Sequence, residues 1–135
     1  MDEDAFIGLV RERRPTWVNA RTRLELPAGW EARFHLLCDM IAEALGDRAA
    51  DFRIIQAKEK FAGGRVYWEM AGAPLDPWQR QVVRELVAEA ERDMAALCQD
   101  CGAPATTCKR DGCYAALCPA HCEQGGFTPL RRPHG

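Results

Sequence analysis

The sequence predicts an α+β fold, with two or three helices packed on a β-hairpin and a small knuckle-and-ribbon module at the C-terminal end. Three observations carry this. Apolar residues recur at steps of three and four over two long segments, the period shortens to two around Gly63-Gly64, and six of the seven cysteines fall between Cys98 and Cys122. At 135 residues the chain has room for one compact domain and an appendage. Hydrophobic and charged fractions of 47% and 28% are those of a chain that folds.

From Asp2 to about Arg14, Phe6, Leu9 and Val10 share one side and acids lead, which reads as a short amphipathic helix. Pro15 then opens an extended segment, TWVNARTRLELPAG. From Trp30, the residues Phe34, Leu37, Ile41 and Leu45 mark a second helix closed by Gly46, with Cys38 on its apolar side as a core residue. Beyond Phe52, FRIIQAKEKFAGGRVYWEM holds two runs able to pair across Gly63-Gly64, since glycine readily takes the positive φ of a two-residue hairpin turn.

That register places Ile55, Ala57, Phe61, Val66, Trp68 and Met70 on one apolar face, together with Glu59 opposite Trp68. Gln56, Lys58, Lys60, Tyr67 and Glu69 take the other face. A carboxylate on the apolar side is either the buried partner of an arginine or a functional group, the ion pair being favoured.

Asp76 as N-cap, Pro77 at the first helical position and Gln79 three residues after the cap introduce a long third helix. Val82, Val83, Leu86, Ala90, Met94 and Leu97 form its stripe, which packs on the hairpin and delivers the chain to Cys98. Residues 1–97 thus form the α+β domain and 98–122 the module. The remainder, 123–135, is an irregular tail held by Phe127 and Leu130.

The module begins with Cys98-Gln-Asp-Cys101 and ends with Cys118-Pro-Ala-His121, two pairs with sixteen residues between them. No apolar run of about eighteen residues occurs and MDEDAFIGLV is not a secretory leader, so a cytoplasmic location without membrane attachment is expected. Thiols clustered in that reducing compartment are metal ligands rather than disulfide partners, and this spacing is that of a tetrahedral zinc-knuckle/ribbon module. His121 and Cys122 lie three and four residues after Cys118, and both can face the ion from one helical turn. His121 is chosen as fourth ligand, after Cys98, Cys101 and Cys118. Asp111-Gly112 marks a hairpin turn between Cys108 and Cys113. With Cys122 these two are alternative ligands or, joined by His134, a second site, one ion being favoured over two. Neither an HExxH motif nor the HxE and PCxxC pair of zinc deaminases is present, so four closed ligands point to structural zinc.

GW at 29–30, QAKEKFAGGRVYW at 56–68, a helix ending in CQDCGAP and then LCPAH together resemble a family of small uncharacterised phage and prophage proteins. In that family a KEKFGG-LRFY-type hairpin precedes a helix and a C-x-x-C-G … C-x-x-[HC] zinc-binding end. The likeness covers about residues 29–121. Ala62 departs from it, giving FAGGR where FGGLR is usual, and Cys108 and Cys113 are additional donors. The resemblance implies a phage setting and zinc binding and brings no activity with it.

These readings lead to a non-catalytic binder of a host or phage macromolecule, with a protein partner met by Lys58, Lys60, Arg65 and Tyr67. Inhibition of host defence, as anti-CRISPR proteins achieve it, is one form. The alternative is a nucleic-acid binder using arginines 11, 13, 14, 21 and 23, the hairpin lysines, Lys109 and Arg110, although a net charge of −2 disfavours non-specific DNA binding. A hydrolytic enzyme acting on a small-molecule substrate is the least favoured, having only Glu59 and three scattered histidines to draw on.

Overall fold

The structure is a computed structural model and describes residues 1–130. It is α+β, with four helices and two small sheets of three strands each. Helix α1 (Glu3–Arg13) starts at Asp2, whose carboxylate accepts the Ala5 N–H, and buries Phe6 and Val10. Strand β1 (Arg23–Glu25) follows. A 3-10 turn at Ala28–Trp30 then leads into α2 (Glu31–Leu45), which buries Phe34, Leu37, Cys38, Ile41 and Leu45 before Gly46. Helix α3 (Pro77–Met94) starts on Asp76, which accepts the Gln79 N–H at 2.8 Å. None of the described helices is long and apolar enough to cross a membrane.

Strands β2 (Phe52–Lys60) and β3 (Gly63–Met70) form the expected hairpin, but two residues earlier than the glycines indicate. Phe61 and Ala62 make the turn, with φ of 50° and 69°. Gly63 and Gly64 lie in β3 instead, because Met94 of α3 packs against that strand: a β-carbon on Gly64 would stand 2.5 Å from the Met94 methyl. The ladder also bulges at Ile55, between Ile54↔Trp68 and Gln56↔Tyr67. Turn and bulge together correct the expected face. Phe52, Ile54, Ala57 and Val66 are buried, whereas Ile55 and Phe61 are exposed.

Glu59 therefore opposes Gly64 rather than Trp68. It pairs with no arginine among the described residues; its carboxylate accepts the Ala62 N–H at 3.0 Å and closes the turn.

The extended segment after Pro15 turns out to carry a third strand. β1 runs parallel to β2, with Leu24 beside Ala57. Ahead of it the Trp17 carbonyl accepts the Ile54 N–H at 2.8 Å and the Thr22 hydroxyl donates to the Ile54 carbonyl at 2.9 Å. Both bonds extend the β1 side of β2 ahead of the parallel ladder, so the backbone groups of Ile54 are satisfied. One core joins Trp17, Trp30, Phe34 and Phe52 beneath α2 and α3.

Strands β4 (Thr106–Arg110) and β5 (Cys113–Leu117) form the ribbon around Asp111-Gly112, both at positive φ. Helix α4 (Pro119–Gln124) follows, and β6 (Thr128–Pro129) pairs with β4. The stretch 123–130 is thus not the irregular tail that its composition suggests: it completes α4 and adds a strand, with the Leu130 N–H donating to the Thr107 carbonyl. His134 lies outside the described residues.

Candidate metal centre

Cys98 arrives at the end of α3, where the Trp30 indole N–H donates to the Leu97 carbonyl at 2.9 Å and so ties the knuckle to the core. The first pair is a tight turn. The Gly102 N–H donates to the Cys98 carbonyl at 2.8 Å, with Gly102 at φ +79°, and the Cys98 N–H donates to the Ala103 carbonyl. Cys118 is the N-cap of α4 with Pro119 at its first position, and His121 faces back along the same turn.

This brings the four predicted ligands together. One ligand atom from each of Cys98, Cys101, Cys118 and His121 lies within 4.8 Å of the others, close enough for one metal ion. His121 Nδ1 is 3.2 Å from the Cys118 sulfur and 3.5 Å from that of Cys98, and the Cys101 and Cys118 sulfurs are 3.8 Å apart. Cys98 is buried and Cys101 exposed, so the centre sits at the surface with its inner wall in protein.

Electrostatics prepares the site for a cation. Burial pushes the Cys98 thiol up, but the backbone N–H groups of Cys118, Cys101 and Asp100 outweigh it and bring the thiol down to about 7. At Cys101 a hydrogen bond from the Ala103 backbone lowers the thiol, and burial with the neighbouring Cys98 and Cys118 sulfurs leaves it raised. His121 is raised by the Cys118 and Cys98 sulfurs beside its ring.

The remaining thiols do not gather into a second centre among the described residues. Cys108 and Cys122 are buried against each other in a small cluster with Leu117, and burial followed by the Cys122 sulfur pushes the Cys108 thiol up to about 11. Cys113 is exposed at the ribbon turn, opposite Arg110. Cys38 is in the core, raised to about 12 by burial.

Two residues support the centre in roles not assigned to them from sequence. Gln99, inside the first pair, links the two knuckles: its N–H donates to the Ala116 carbonyl at 2.9 Å and its side-chain oxygen accepts the Ala116 N–H. The Gly29 N–H donates to the Gln99 carbonyl at 2.8 Å. The Gly-Trp pair before α2 was the available signal. On the hairpin, Lys58 opposes Arg65 and Gln56 opposes Tyr67, so the predicted binding residues do share the outer face with Lys60.

No family model, no curated protein and no solved structure matches this chain. The class is therefore defined by its own geometry, an α+β protein with a Cys3His candidate metal centre.

Proposed function

We propose that the protein is a zinc-fastened, non-catalytic binding protein. One observation carries this reading. Zinc bonds of about 2.3 Å to sulfur and about 2.0 Å to nitrogen, at tetrahedral angles, hold ligands about 3.8 Å apart for two sulfurs and about 3.5 Å for sulfur and nitrogen. The Cys101 and Cys118 sulfurs are 3.8 Å apart and Cys98 Sγ and His121 Nδ1 are 3.5 Å apart, while Cys118 Sγ and His121 Nδ1, at 3.2 Å, stand a little closer. Three thiolates and an imidazole suit zinc and not the hard cations that take oxygen ligands. Four protein ligands complete the shell, so the ion's binding energy becomes folding energy for the ribbon and α4.

The likeness in QAKEKFAGGRVYW and the two knuckles extends this reading to a phage or prophage protein that docks on a host or phage macromolecule, inhibition of host defence being one form. The test is metal analysis of purified protein with cobalt substitution. One zinc per chain is expected, with a cobalt spectrum of a tetrahedral sulfur-rich site that added anions leave unchanged. Metal-free protein, or an exchangeable solvent ligand on the ion, overturns it.

A further inference from the structure

The hairpin tip and the β4–β5 ribbon meet in an exposed pair of aromatic rings. Phe61 in the β2–β3 turn and Tyr114 on β5 stand 6.5 Å apart, centroid to centroid, in an edge-to-face contact. Phe61 is 72% exposed and contributes little to the core. It also holds a φ of 50°, which asparagine or glycine would adopt at lower cost. Folding alone does not account for a phenylalanine there.

Each ring carries an ammonium. Lys60 Nζ is 5.7 Å from the Phe61 centroid and Lys109 Nζ is 5.8 Å from that of Tyr114. Lys58 and Arg65 stand directly opposite each other on the outer face of the same hairpin, a like-charge pairing that costs stability. None of these four cations forms an ion pair with a described residue. Three acids lie close along these strands: Glu59, between Lys58 and Lys60 but engaged by the Ala62 N–H, Glu25, beside Lys58 in the parallel register, and Asp111 in the ribbon turn.

We propose that this surface binds single-stranded nucleic acid, with bases stacking on Phe61 and Tyr114 and phosphates held by Lys58, Lys60, Lys109 and Arg65. The inference rests on the zinc-fastened binding reading and names its partner class. A duplex hides its base faces and an acidic peptide has none to offer, whereas a single strand supplies anion and π-face together. Flexible lysine stems that lie over the rings can swing onto phosphates as bases replace them. The surface depends on the metal centre, because Tyr114 and Lys109 reach it only when the ribbon is held against the hairpin tip.

The experiment uses the zinc-loaded full chain and fluorescence anisotropy with labelled strands of about 15 nucleotides, as DNA, as RNA and as matched duplex. Both single strands are expected to bind at low salt more tightly than the duplex, their ratio showing which sugar the surface prefers. Phe61→Asn, chosen to suit the turn, should weaken binding about tenfold or more with metal content and melting temperature retained; Tyr114→Ala should act in the same direction. Lys60→Ala and Lys109→Ala should each flatten the slope of log K against log salt by about 0.7. Equal affinity for duplex with Phe61→Asn silent would reduce the surface to phosphate attraction and overturn the proposal. Absence of binding at low salt, or binding of poly-glutamate alone, would do the same while a zinc-loaded, folded protein leaves the zinc reading standing. Oligonucleotide binding by a protein that holds no metal, if Phe61→Asn abolishes it, would keep the stacking surface but sink the zinc reading and overturn the surface's dependence on a metal centre.

Discussion

Gly29 and Gln99 are joined backbone to backbone: the Gly29 N–H donates to the Gln99 carbonyl oxygen at 2.8 Å, and a β-carbon on Gly29 would stand 2.6 Å from that carbonyl's carbon. The approach is closer than any side chain allows, and the atoms it would strike are backbone. Gly29→Ala must therefore push the first knuckle away from the 3-10 turn. The expected cost is about 3 kcal/mol of stability, and displacement of Cys98 and Cys101 should weaken metal binding about tenfold to a hundredfold. Urea denaturation and a chelator competition measure the two; wild-type values in both would show that the knuckle is held from elsewhere.

Protons compete with the metal for the same four atoms. Cys101 is raised and keeps its proton through neutral pH, His121 is raised, and Cys98 titrates at about 7. Each proton displaced costs about a factor of ten in affinity per pH unit, so binding should fall at least a hundredfold between pH 7 and pH 6. The metal-free fold has its own dependence through Cys98. Its value is lowered from the ordinary 9.0, so its stabilisation is full above 9.0 and is lost as pH falls through about 7. A metal affinity that stays flat from pH 7 to pH 6 would remove this ligand set.

Thiol reactivity should divide the seven cysteines. With metal bound, Cys113 is exposed and unliganded and should be alkylated first. Chelation should add Cys101, the exposed ligand. Cys108 and Cys38, buried with thiols raised to about 11 and about 12, should label only on unfolding. Peptide mapping by mass spectrometry after timed labelling reads the order, and rapid labelling of Cys108 in the folded protein would contradict its burial beneath the ribbon.

What was legible in the sequence was local. The Asp76 cap and the Cys-x-x-Cys and Cys-x-x-His spacings act within one turn, and the structure keeps them where spacing puts them. The hairpin's register was not legible, because two glycines suit a turn equally well as they suit a strand, and Met94, thirty residues away from Gly64, decides between them. β1 escaped notice for a similar reason: three residues after a glycine-free turn at Asn19–Thr22 become a strand only by pairing with Gln56–Lys58. At the metal centre, spacing alone left His121 and Cys122 open. The Cys122 sulfur pairs with Cys108 instead, while His121 Nδ1 faces the Cys118 and Cys98 sulfurs.

Glu59 tests the corrected register directly. In the turn-shifted hairpin its carboxylate accepts the Ala62 N–H at 3.0 Å, next to two residues held at positive φ. Glu59→Ala removes that acceptor and should cost about 1 kcal/mol, while Glu59→Gln keeps an acceptor oxygen and should lose less. Neither change touches a candidate metal ligand, so metal content should match that of the unaltered protein in both. Thermal melts of the metal-loaded variants give the comparison. A loss several times larger, shared equally by both variants, would mean that the negative charge itself is needed, as in a buried ion pair; no loss at all would mean that the turn holds its conformation through Gly64 packing on Met94 without help from the carboxylate.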